Sequence, residues 1–187
     1  MISNETFIKA RDMLDEAGIK HSRANVLFEK KDYSGAVEAS QHSVEIAIKS
    51  LLLLFSIEPP KTHNPEEKLD KIIEIIESSR SPIIGKEFDE GLNAFRNILA
   101  RMKFLSNLMG RLHIDGMYGF ACVPPSKIFR KKDGEYFTYI SAEILFSTGL
   151  LFTTVGVAGG FLTDKEKTDF EQFVKLWRSF HSLLTNE

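Results

Sequence analysis

The chain has one cysteine, Cys122, so it cannot close an internal disulfide, and that count suits a reducing compartment. Cys122 has no basic residue within three positions to activate it and reads as an inert thiol. No Cys/His spacing of the zinc-binding kind occurs, and no metal site is expected. Also missing are a Gly-rich phosphate loop and the G-x-S-x-G, H-E-x-x-H and D-x-D-x-D-G patterns. No cofactor is therefore expected either. An excess of one charge is lacking too: 24 Lys and Arg stand against 26 Asp and Glu, for a net charge of −2. This balance argues against nonspecific nucleic-acid binding through bulk charge, while leaving room for a local basic patch. No stretch alternates with period two for long enough to make a strand, and no internal repeat is present. The N-terminal residues MISNETFIKARDML mix charge with apolar residues and lack the apolar core of a signal peptide, so a cytoplasmic protein is expected.

Long apolar runs are scarce, with one exception. Ile144 to Thr163 carries no charge over 20 residues, enough to span a bilayer. It also holds four glycines and five Ser or Thr residues, and Gly156, Gly159 and Gly160 would interrupt or end a helix. A buried helix or a dimer face is expected there rather than a membrane span.

What the chain does have is helical periodicity. Phe7, Ala10, Leu14, Ala17, His21, Ala24 and Phe28 predict a first helix over 6–30, with Gly18 its weak point. Asp32 or Ser34 can cap a second helix running to about Ser56. Pro59-Pro60 ends it, having no N–H to donate. Asn64, Pro65 and Glu67 are placed as cap, first position and capping-box acid of a third helix reaching about Ser79. Leu92, Phe95, Leu99, Met102 and Leu105 form the core face of a fourth, over 87–114. The basic run Arg130-Lys131-Lys132 reads as loop, and Gly134 as preceding a fifth helix over 136–157. Thr163 and Glu166 make a capping box for a last one. The fold class is all-α: an up-down bundle of five to six helices, one domain over 1–187, with 161–187 a C-terminal helix packed on it.

The second helix organises the rest. Val37, Val44, Ile48, Leu51 and Phe55 give it an apolar face, while Glu38, His42, Glu45 and Lys49 recur at the same period on another. Glu45 and Lys49 are an acid-then-base pair four apart, which in a solvated setting stabilises a helix by only about 0.3–0.5 kcal/mol. The loop Lys61-Thr62-His63 follows, beside the expected start of the third helix, whose unpaired N–H groups favour phosphate. Lys61 can add a charge there and His63 a hydrogen bond; the plain alternative is that His63 ties the loop to the bundle. A second cluster, Arg111 to Gly119, gathers Arg111, His113, Asp115 and Tyr118 at a helix end; its plain alternative is a polar helix terminus closed by glycines.

Three pieces of this sequence resemble the HEPN family of small helical domains. Lys31-Asp32-Tyr33 stands before the helix. Ser43 to Leu52 follows the A-x-E-x-x-x-K-A-L-L signature, with Ser43 and Ser50 where alanine is usual. Pro60 to His63 reads P-K-T-H. The resemblance implies one of two activities. Many HEPN domains look like metal-independent RNases with an R-x(4–6)-H motif facing its twin across a homodimer. There the arginine stabilises the phosphate and the histidine moves protons. No arginine here precedes a histidine by that gap; Arg111 and His113 leave one residue between them. A second branch resembles proteins paired with minimal nucleotidyltransferases in toxin–antitoxin modules. The positions carried over are Glu45, Lys49, Lys61, His63, Arg111 and Tyr118. The expectation is a non-catalytic binding module for a nucleotide, an RNA phosphate or a nucleotidyltransferase partner, acting as a homodimer. The alternatives are an RNase using Arg111 and His113, and a helical scaffold with no ligand.

Overall fold

The structure, a computed structural model, describes residues 2–78, 86–110, 123–169 and 172. The helices are α1 (Asn4–Glu29), α2 (Tyr33–Leu54), α3 (Asp70–Ser78), α4 (Lys86–Gly110), the single turn α5 (Pro125–Ile128) and α6 (Lys131–Gly159). A further helical turn covers 164–169, and no strand occurs among the described residues. The architecture is the all-α, HEPN-like bundle expected.

Helix α2 lies at its centre and packs against α1, α4, α5 and α6. Its apolar face is buried up to Phe55, which is half-buried at the helix end: Val37, Val44, Ala47, Ile48, Leu51, Leu52 and Leu54 belong to one core with Phe7 of α1, Met102 of α4 and Ile144 of α6. Asp32 caps α2 through its side chain, which accepts from Gly35 N at 3.0 Å. Both serines that replace the signature's alanines bond to backbone. Ser43 Oγ donates to the Ala17 carbonyl of α1 at 2.8 Å, and Ser50 Oγ to the Ala47 carbonyl at 2.7 Å. Small hydroxyls thus fit where alanine would, because a carbonyl lies within reach of each.

Helix α6 starts earlier than its sequence suggests. Lys131 and Lys132 form its first turn instead of a loop, because Asp133 accepts from the Arg130 backbone N–H at 2.7 Å. Gly134 is accordingly inside the helix, buried where a Cβ would meet Phe28 at 3.0 Å and Tyr33 at 3.3 Å. The uncharged stretch is the core-packed second half of this helix, contributing Ile144, Leu151 and Phe152. By length and composition α6 would also suffice to cross a bilayer. Gly160, at φ +69°, ends it in the left-handed region. Gly156 is covered by its own chain: a Cβ there would stand 2.8 Å from Leu162 and 3.1 Å from Phe7. The Thr163–Glu166 capping box is present, with Glu166 N donating to Thr163 Oγ1 at 3.3 Å and Thr163 N to Glu166 Oε2 at 2.7 Å. Arg11 pairs with Glu166 at 3.4 Å and holds this turn on α1. The expected helix beyond residue 169 falls largely outside the described residues.

The third helix differs most. Pro65–Lys68 is a 3₁₀ turn, α3 begins only at Asp70, and Asn64 makes no side-chain capping bond. Glu66 explains the displacement. Its side chain is buried toward α4, where Ser106 Oγ donates to it at 3.1 Å, and a tighter turn delivers it there.

Candidate functional site

Glu45 sits in α2 with Lys49 one turn further on. Lys49 Nζ donates to Glu45 Oε1 at 2.5 Å, and His63 Nδ1 to Oε2 at 2.9 Å, so each carboxylate oxygen has its own donor. The Glu45 and Lys49 side chains are only 16% and 19% exposed, whereas His63 is 60% exposed. This pair is therefore not the solvated one that the spacing alone would suggest. The central position of α2 and the loop at 60–63 shield it, which strengthens each charged hydrogen bond. Burial would raise the Glu45 carboxyl, but the hydrogen bonds and charges of Lys49 and His63 outweigh it, and its pKa falls below the ordinary 4.5.

The loop histidine and the helix glutamate are thus brought together, 18 residues apart in sequence. Lys61 is exposed in the same loop. The proposed anion site at the start of the third helix is not formed as expected, because the 3₁₀ turn separates the loop from α3. What remains there is the side chains themselves. Arg111, His113 and Tyr118 lie outside the described residues, as does Cys122. The chain does enter that stretch directly from Gly110, which closes α4 beside Glu45 and His63.

Behind Glu45 and His63 lies a small recess that the motifs did not indicate. It is lined by the apolar Val44 and Met109 together with Gln41, Glu45, His63, Ser106 and Gly110, with a volume of about 20 Å³. A larger cavity of about 120 Å³, bounded by Asn64, Glu66, Asn107 and Gly110, adjoins it at Gly110. Gln41 Nε2 donates to the Met109 carbonyl at 2.9 Å, tying α2 to the end of α4. Gln41 is 6% exposed and its Oε1 accepts from no described group. Glu66 is 2% exposed and its one described partner is the neutral Ser106 hydroxyl. Such burial is expensive for a carboxylate without a cation. A signal for Gln41 and Ser106 did exist: each stands at a core-spaced position, between Val37 and Val44 on α2 and between Met102 and Met109 on α4.

Among the described residues no three His, Cys, Asp or Glu side chains gather closely enough to share a metal ion. The fold and the cluster together define a small helical module built on an E-x-x-x-K helix clasped by a P-K-T-H loop. The family profile for the HEPN domain matches residues 10–119, more than half of the chain. The chain belongs to the HEPN family. The crystal structure of TT1696 from Thermus thermophilus shares the fold at a TM-score of 0.52 and 17% identity, over 75% of this chain and 96% of that one. No curated protein sequence matches.

Proposed function

We propose that this HEPN module is a non-catalytic binding domain that takes a nucleotide or an RNA phosphate at the Lys61–His63 loop. One observation carries this reading: His63 is fixed by a buried-side carboxylate yet keeps most of its ring in solvent, next to an exposed lysine. The Lys49 charge is spent on Glu45, so phosphate attraction falls to Lys61, exposed two positions before His63 in the same loop. A nucleotidyltransferase-type partner within a toxin–antitoxin pair would present its nucleotide, or its own acidic surface, to the same loop.

The direct test is titration of labelled single-stranded RNA and of nucleoside monophosphates into the full chain, beside Lys61→Ala and His63→Ala. Each variant should weaken binding about five- to twentyfold, in line with the loss of one charged hydrogen bond. Unchanged affinity in both would overturn the site.

The second reading, a metal-independent RNase using Arg111 and His113, is favoured by Gly110 alone, which leads the chain into that stretch from the edge of the recess. Incubating RNA with the chain in EDTA, beside Arg111→Ala and His113→Ala, decides between them. Cleavage lost in both variants would make the protein a nuclease; intact RNA would leave binding as its role.

A further inference from the structure

We infer that the recess between α2 and the end of α4 receives a nitrogen donor of the ligand, the exocyclic amino group of a nucleobase, rather than its phosphate. The inference rests on the nucleotide-binding reading above and names which end of the ligand goes inward. The chemistry of the walls decides it. Gln41 Oε1 is buried and accepts from no described group, while the amide's nitrogen is already committed to the Met109 carbonyl. Amide orientation follows from that bond: with Nε2 on a carbonyl, oxygen must be the atom left over. Glu66 adds a second acceptor. Its carboxylate is nearly fully buried, Ser106 occupies one oxygen, and the other lies toward Gly110, about 4.0 Å from where a Cβ there would stand.

Gln41 Oε1 is thus an acceptor without a donor among the described residues, in a space too small for a phosphate. The inner volume of about 20 Å³ admits one water or one amino group, and the adjoining 120 Å³ opens past Asn64 and Asn107. A phosphate or a keto oxygen pushed into the inner recess would set a further acceptor against Gln41 Oε1, which needs a donor, and would lose its hydration. An –NH₂ group offers a hydrogen to Gln41 Oε1, with the Glu66 carboxylate on the wall of the adjoining cavity. The base then reaches inward from the loop, and the phosphate stays outside with Lys61.

Isothermal titration of matched pairs tests this: AMP against IMP, and CMP against UMP. Each pair differs in whether an amino or a keto group occupies the same ring edge. The amino member should bind roughly tenfold more tightly, and Gln41→Leu and Glu66→Gln should each narrow the gap. Glu66→Gln keeps the shape, so it remains informative if Gln41→Leu, which also strips the Met109 carbonyl of its donor, fails to fold. Equal affinities within each pair, with binding still weakened by Lys61→Ala, would overturn the inference and leave the nucleotide site standing. No binding of any nucleotide would remove both.

Discussion

Glu45 is the residue on which the site turns, because it accepts from Lys49 of its own helix and from His63 of the loop and so ties together two parts of the chain. Replacing it with alanine leaves Lys49 mostly buried without its partner and frees the loop. Glu45→Ala should therefore destabilise the fold by about 1–3 kcal/mol in urea melts at pH 7. The pH dependence follows from the direction of the shift. Its folded-state pKa lies below the ordinary 4.5, so the charged form is favoured in the native state. That contribution is complete above the unfolded value and is lost as the pH falls through the folded one. The isosteric Glu45→Gln should thus differ from the parent near neutrality and converge with it as the pH falls through the folded-state value. A constant gap across that range would show that Glu45 acts by packing alone. His21 has a related character at another junction: burial lowers its pKa, and its ring meets Ser141 of α6 at 3.1 Å and Asn25 at 3.0 Å.

At the scale of elements, α2 is positioned at its start by Asp32 and along its length by Ser43, Gln41 and the apolar face. Asp32→Ala removes the side-chain acceptor for Gly35 N and should cost about 1 kcal/mol, read as a lower melting temperature. Since the cap lies far along the chain from Glu45, the two substitutions should be close to additive in a double-mutant cycle. The elements also show why periodicity alone misjudged the chain in two places. Gly134 and the Lys131-Lys132 pair carry loop composition, yet Asp133 supplies the cap and Phe28 and Tyr33 need the missing Cβ. Pro65 with two acids carries a helix-start composition, yet burial of Glu66 tightens that turn into 3₁₀ form.

At the scale of the whole molecule, we propose that two copies associate through the outer face of α6. Tyr136, Tyr139 and Val157 are exposed there on a helix whose opposite side carries Ile140, Ile144 and Leu151 into the core. Gly156 does not contribute to that surface, being covered by Leu162 and Phe7 of its own chain. Multi-angle light scattering should give twice the chain mass at micromolar concentration, and Tyr139→Glu should return it to one; a parent sample that is already monomeric at that concentration would sink the idea.

The sequence by itself determined the helices of the described residues, most of their ends apart from the starts of α3 and α6, and the Glu45–Lys49 pair. Those depend on contacts within a few residues, where helical geometry sets the spacing. The E-x-x-x-K and P-K-T-H motifs likewise made the family legible. Only the tertiary structure decided that His63 reaches Glu45, and that the pair is shielded rather than solvated. The same holds for Gln41, Glu66 and Ser106, whose polar side chains suggest surface until α2, the loop and α4 close over them. Burial is a property of what the other elements bring to a residue, and for polar groups it overrides the identity written in the chain.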